Sequence, residues 1–497
     1  MSEYKHGAYG QIQAVGSRIA DESQSVIVYI GTAPVHTLES YSGSVNKPIL
    51  VRNIAEARKY FGYSDDWASY TLCEAMYVHF EQKGVGALVL INVLDPAKAA
   101  HKNATATTAS KTPSNGTIII PEAESAIMAS VTVKTQDETP VTKIKGTDYN
   151  IAYNQEKKQI IITEIGTGLG SSALTVEYNT IKPSGVTSED IIGTTDNLGT
   201  NTGLFAIKDV YQITGQIPAY LGAPGWSSVT AIHTAMYQVS QKINGHWDAY
   251  MFADLPLLND ATPLTLGTAA TYKAANGFNK PNETVFFPMI KGTDGKYYHL
   301  SVLAAANFLA LLLDYDGIPY HTASNTECAI IESLKLGGTS TVIADDEIIN
   351  NNLNKNGIAS AAYVGGRWAI WGCHSADYNQ EDADSINVAE TNRMMLYYIS
   401  NSFQHRRTGN VDKPMTANDL TSIAAEEQAR LDALIKIGAL TYGEVSLNAE
   451  LMDRADVMQG DFSFSFRVTT TPLAKSLTAV VAWVEDGFQT YFEDFAN

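Results

Sequence analysis

Between Gly116 and Lys182 the chain carries short apolar runs and no helical stretch, while on either side buried strands alternate with helices. The runs are Thr117–Ile120, Ile127–Val133, Tyr149–Tyr153, Gln159–Ile165 and Leu174–Tyr178. Several alternate apolar with polar residues, the period of a half-buried antiparallel strand. Strands buried on both faces read instead as unbroken apolar runs, and these belong to helix-covered sheets. One chain holding both patterns folds as an α/β protein interrupted by an inserted β-sandwich or small barrel, so the fold class is α+β or α/β and multidomain.

The flanking parts are read from period and punctuation. Val26–Ile30, ended by Gly31 and Pro34, predicts a buried strand, as does Ala87–Val93; Ile54–Phe61 and Trp67–Phe80 between them predict helices. Ala97–Asn115, rich in Ala, Thr, Ser and Lys, predicts a linker. After Pro183, Val229–Ile243 and Ser301–Leu313 predict helices, and Tyr250–Leu255, Thr284–Ile290 and Arg367–Trp371 predict strands. Thr391–Phe403 predicts a further helix, and Thr416 with Asp419 three residues on has the form of a capping box for the next. Leu440–Leu447, Phe462–Val468 and Leu477–Val484 predict strands, with Asp486-Gly487 a hairpin signal before Phe488–Phe492. The resulting division is an N-terminal arm over 1–24, a small α/β unit over 25–96, the insertion over 97–183, a main α/β domain over 184–384, a C-terminal α/β domain over 385–487 and an arm strand over 488–497.

Charge narrows the partners. Thirty-four Lys and Arg stand against 53 Asp and Glu, a net charge of −19. A nucleic-acid binder needs a basic face to displace counterions, and the richest basic cluster is only His405-Arg406-Arg407. Nucleic acid and anionic lipid are therefore excluded as expected partners. The longest apolar stretch, Leu303–Leu313, is about half the ~20 residues of a membrane span. The first residues lack the apolar core of a secretory signal, so synthesis in a cytoplasm is expected. Charged residues make up 18% of the chain, below the ~25% usual for soluble domains, and there are 26 Tyr. Such a chain is suited to burying surface against other chains.

The motifs of catalysis are missing. There is no GxxxxGK[ST] phosphate loop, no HExxH and no GxSxG elbow. Gly166-Thr167-Gly168-Leu169-Gly170 lies between two strands and reads as a turn, and Cys73, Cys328 and Cys373 have neither disulfide nor zinc spacing. The chain is expected not to be an enzyme, with no catalytic residue, cofactor or metal.

The two ends remain. Tyr9, Ile12 and Val15 stud a polar, glycine-spaced start, and Phe488, Tyr491, Phe492 and Phe495 close the chain. Apolar side chains at termini need cover, either by folding back as an edge of the chain's own sheet or by strand addition to a neighbouring chain's sheet.

In this order the elements resemble the sheath proteins of contractile phage tails and related phage-tail-like particles, of the type with a β-sandwich insertion. The resemblance rests on Val26–Gly31 with Thr32-Ala33-Pro34, Phe61-Gly62, Gly146-Thr147-Asp148-Tyr149, Gly366–Gly372 with its Trp-Gly ending, and Leu431-x-x-Leu434-x-x-x-Gly438-x-Leu440 ahead of the Phe462–Val468 strand. Cys373-His374-Ser375 departs from the small residue, Arg and Thr that often follow in the family. The resemblance implies a homo-oligomer of stacked rings around a tail tube protein, with baseplate and tail terminator proteins at its ends. It implies assembly in the bacterial host cytoplasm, a place in the virion tail, and contraction that drives the tube through a cell envelope. The terminal residues named above become inter-subunit arm strands, and Arg393, Arg406, Arg407, Asp453, Glu485 and Asp486 become candidate interface charges. A phage-associated α/β hydrolase with a carbohydrate-binding β insertion is the alternative these elements leave open.

Overall fold

Seven consecutive residues, Ser-Val-Ile-Val-Tyr-Ile-Gly, form an inner strand of the largest sheet among the described residues, and six of them are buried. The computed structural model describes residues 18–19, 25–338, 340–382, 386–447, 452 and 454–488. The chain divides into two compact units, 1–419 and 420–497.

The first unit is organised by an eight-stranded sheet of β1 (Ser25–Gly31), β2 (Ile49–Val51), β3 (Leu88–Asn92), β4 (Ile217–Gly222), β5 (Tyr250–Asp254), β6 (Glu283–Phe286), β7 (Ile358–Val364) and β8 (Arg367–Trp371). Their order is β8-β7-β6-β5-β4-β1-β3-β2. The six strands from β7 to β3 run parallel, and both edge strands are antiparallel. Fully buried strands such as β3 and β5 follow from helices covering both faces. Among these helices Leu300–Asp314 is apolar almost all round, with Asn307 buried and donating to Thr326 Oγ1 at 2.8 Å. The sheet grows from β1 to β3 on one side, then resumes with β4 on the other side of β1. The inserted strands lie in that long β3-to-β4 connection.

They form two three-stranded antiparallel sheets facing one another. Ile118, Ile120, Val133, Tyr149, Ile151, Ile160, Ile162, Leu174 and Val176 fill the space between them as a separate hydrophobic cluster. Within Tyr149–Asn154 burial alternates as the period-2 pattern requires. Two details differ from the expectation. The linker 97–115 contains a strand, Thr107–Lys111, held by its ladder with Leu174–Tyr178; it is an edge strand without large apolar residues, so it leaves no hydrophobic trace. Ile127–Val133 is not one strand, because Ser130 turns its hydroxyl back to Ile127 O at 2.7 Å and closes a helical turn.

Two more expectations are corrected nearby. Thr284–Ile290 breaks at Pro288, which has no N–H to give to a central ladder: β6 stays in the large sheet and Met289–Gly292 joins a separate four-stranded antiparallel sheet. Trp67–Phe80 is helical only from Leu72, and its second half widens into i→i+5 bonding over Tyr77–Gln82.

The division at 419/420 falls within the helix Ala417–Lys436, so the helix Glu390–Arg407 stands with the first unit although its sequence position groups it with the C-terminal part. Met394 there belongs to the main core. The capping box is present: Asp419 Oδ2 accepts from Thr416 N at 2.8 Å, and Asp419 N donates to Thr416 Oγ1. In the second unit that helix packs on an antiparallel hairpin, Leu440–Leu447 with Phe464–Thr470. A Cβ at Gly443 would stand 3.0 Å from Leu431, so the absence of a side chain lets helix and strand close. Gln428 then bonds Gly443 O and Val445 N. Leu431→Ala is expected to cost about 2–4 kcal/mol, read as protease cleavage confined to residues 420–497 while the first unit stays resistant.

Candidate functional site

Open α/β sheets hold ligands at the carboxyl ends of their strands, where the order reverses. Here that place is the end of β1 and β4. Both strands finish on glycine: a Cβ at Gly31 would meet Thr71 Oγ1 at 2.4 Å, and one at Gly222 would meet the Tyr29 ring at 2.6 Å. Beyond them opens a cleft of about 680 Å³, whose walls include Trp67, Trp226, Lys296 and His299.

The chemistry in this cleft is turned inward. His299 is the residue before the Leu300–Asp314 helix, and Glu74 accepts from both its backbone N and its Nδ1, each at 2.6 Å. Ser301, one turn position on, donates its backbone N to Asp254 Oδ1 at 3.1 Å and its hydroxyl to Asp254 Oδ2. Two buried carboxylates thus satisfy the N-terminus of a single apolar helix, where other α/β proteins seat an anionic ligand. Burial alone would push the His299 imidazole down, but the Glu74 charge and hydrogen bond outweigh it and raise it to about 9. Burial raises the Asp254 carboxyl against the pull of His299 and Ser301. Lys296 pairs with Asp65 at 2.6 Å and lies over the Trp67 ring, while Lys335 caps Gly338 O. Every cation here has an internal partner, so the arrangement braces the sheet's carboxyl end and presents no nucleophile–base pair. Among the described residues no group of three His, Cys, Asp or Glu is placed to hold a metal, and no helix is long and apolar enough to cross a membrane.

The surface features lie elsewhere. From Thr471 to Val484 the backbone makes neither helix nor strand. Leu477, Val480, Val481 and Trp483 on it are 74–92% exposed, and Val484 and Phe488 are exposed as well. The expected Leu477–Val484 strand therefore has no ladder among the described residues. At Asp486-Gly487 a turn is present, with Phe488 N bonded to Glu485 O at 2.9 Å, and the return strand expected from Phe488 to Phe492 lies outside the described residues from 489 on. Apolar residues on both sides of the ribbon favour a strand covered on both faces, and here Leu477, Val480 and Val481 are left about nine-tenths exposed.

Of the residues singled out in the sequence, Phe488, Glu485 and Asp486 sit at the exposed end of this ribbon. Arg393 is half-buried in the first turn of its helix, and Arg406 and Arg407 are half-buried in its last turn. At 1.5 Å per residue these two groups are roughly 20 Å apart, so they form two patches rather than one. Tyr9, Ile12, Val15, Asp453, Tyr491, Phe492 and Phe495 lie outside the described residues. Of the N-terminal arm, Arg18–Ile19 pairs in parallel with Val85–Gly86 of its own chain. The Glu74, His299, Asp254 and Ser301 cluster had no sequence signal, because its members come from three separate segments.

No family model matches the chain. Over 498 residues it is 24% identical to the tail sheath protein of Burkholderia phage BcepMu, an alignment that covers 96% of each chain. Among solved structures, at 12% identity, it superposes on a chain of the anti-feeding prophage baseplate with a TM-score of 0.54, covering 97% of this chain and all of that one. The anti-feeding prophage helical sheath in its contracted state gives 0.52 over 97% and 99% of the two chains. The contracted sheath complex of the extracellular contractile injection system PVC gives 0.53 over 98% and 99%. The fold described above is shared with these solved chains over 97–98% of its length.

Proposed function

We infer that the chain is a tail-sheath protein, a structural subunit of a contractile sheath. The observation that carries this is the likeness to a tail sheath protein along nearly the full length of both chains, on a fold common to contracted sheaths. The hydrolase alternative finds no support: its cleft would need groups free to react, and those present are bound to one another.

The subunit forms stacked rings around a tail tube, bounded by a baseplate and a terminator, and is assembled in the host cytoplasm into the tail of a virion or phage-like particle. No step of its action is chemical catalysis. Work comes from conformational free energy held in the extended polymer, to which each of many copies contributes a little. The arms act as hinges that keep neighbours joined while the cores reorient.

The ribbon fits that role. A two-stranded hairpin is marginal by itself, and among the described residues no further strand pairs with Leu440–Leu447 or Phe464–Thr470. Each hairpin therefore offers backbone edges, and each ribbon is an apolar strand without a ladder. The ribbon of one subunit completes the hairpin sheet of the next by strand addition. Arg393 and the Arg406-Arg407 pair meet acidic surfaces of neighbours, among them Glu485 and Asp486, which offsets the mutual repulsion of subunits at −19. Purified protein examined by negative-stain electron microscopy is expected to form rods or tubes; a protein that stays monomeric at every salt concentration overturns the reading.

A further inference from the structure

Glu390 opens the helix Glu390–Arg407, and its carboxyl is buried against the central sheet at 3% exposure. Its partners are hydroxyls. Oε2 lies 2.5 Å from Thr284 Oγ1 on β6, and Oε1 lies 2.7 Å from Thr322 Oγ1. Thr284 Oγ1 in turn lies 3.0 Å from Tyr250 OH on β5. The backbone N of Glu390 donates to Cys373 O at 2.7 Å, so the first turn is tied down on both its main-chain and side-chain sides.

The groups facing this site come from every element around it. β5 gives Tyr250 and β6 gives Glu283 beside Thr284; the 373–378 segment gives His374 and Asp377. Lys273, from the helix Ala269–Ala275, spends its ammonium on Ala376 O, and His233 spends its ring on Glu283. His321 adjoins Thr322 and stacks on Tyr315. Arg393 is one turn further along the same helix. Among the described residues none of these cations makes an ion pair with Glu390, and the other charges acting on the neighbouring Tyr250 are the acids Glu283 and Asp377. A buried carboxylate without a cation is costly, whereas the neutral acid can donate to Thr284, which passes its own proton on to Tyr250. Burial, only partly offset by the two threonine bonds, raises the carboxyl to about 7.

We propose that Glu390 is a proton-operated latch: as the neutral acid it pins the first turn of the Glu390–Arg407 helix to β6, and as the carboxylate it loosens that turn. The device is independent of how the subunits assemble, because every group in it belongs to one chain.

Amide hydrogen exchange of the full-length protein at about pH 6 and about pH 8.5, corrected for intrinsic rates, tests it. Peptides spanning the first turn are expected to lose protection about tenfold between the two conditions in the wild type. In Glu390→Gln, which keeps the hydroxyl contacts and cannot ionise, the loss is expected to be under about twofold. Equal protection at both pH values in the wild type overturns the proposal, as does a Gln variant that follows the wild type. Should the variant not fold, infrared spectroscopy of wild-type protein labelled at its Glu carboxyls replaces it. A protonated-carboxyl band that titrates away near neutrality supports the latch, and its absence at about pH 6 overturns it.

Discussion

Truncation after Thr470 leaves a folded subunit that no longer polymerises. Residues 471–484 form neither helix nor strand, and Leu477, Val480, Val481, Trp483 and Val484 among them face solvent. Removing them therefore takes little from the subunit. In a polymer the balance is the opposite. Burying Leu477, Val480, Val481, Trp483, Val484 and Phe488 against a neighbour is worth roughly 1.5–3 kcal/mol for each large side chain, before the added backbone hydrogen bonds. That sum, repeated at every contact, is larger than any single surface ion pair supplies. Circular dichroism and the unfolding midpoint of the truncated protein are expected to match the wild type within error, while electron microscopy shows no rods. Ordered sheaths from the truncated chain defeat the arm assignment. A loss of fold would mean instead that the ribbon is needed inside its own subunit. Deleting only 488–497 separates the terminal aromatic residues from the ribbon, and it too is expected to block assembly.

The sequence was most legible where one physical signal acts alone. β1, the helix Ile54–Phe61, β8 and the strand Leu440–Leu447 are marked by unbroken apolar runs, helical spacing or alternation between clear stops, and they lie where those marks put them. Two inner strands leave little trace in the sequence. β4 contains Pro218, which normally argues against a central position; the ladder with β1 shifts register between Pro218 and Tyr220, and that irregularity makes room for it. β7 reads Ile-Ala-Ser-Ala-Ala-Tyr-Val, with small residues where packing against β6 and β8 leaves little space, so hydropathy is weak although five of its residues are buried. The ribbon failed in the other direction. Its composition announces a strand, but a strand needs a ladder, and composition cannot say which chain provides it. The brace at the sheet's carboxyl end was invisible for a different reason. Glu74 and His299 are 225 positions apart, and only the crossover past β1 brings them together.

That brace yields the second large effect. Glu74 and His299 form a buried pair, with side chains 2% and 19% exposed. Replacing Glu74 by Gln leaves the imidazole without a counter-charge and is expected to cost about 3–5 kcal/mol near neutral pH, read as a lower urea midpoint. The pH dependence identifies the cause. A histidine raised from 6.5 to about 9 on folding binds its proton more tightly in the folded state. Its contribution is complete below pH 6.5 and is lost as pH rises through 9, roughly 3 kcal/mol across that window. The wild type is thus expected to weaken steadily from about pH 6.5 to about pH 9, and Glu74→Gln to be flat there. Glu390 has the same sign in a lower window: a carboxyl raised from 4.5 to about 7 favours the fold at pH below 4.5, and that advantage is lost as pH rises through 7. Glu390→Gln flattens the lower window and leaves the upper one, and Glu74→Gln does the reverse. If both substitutions lower the midpoint equally at every pH, the loss is one of packing, and neither proton contributes to holding the sheet.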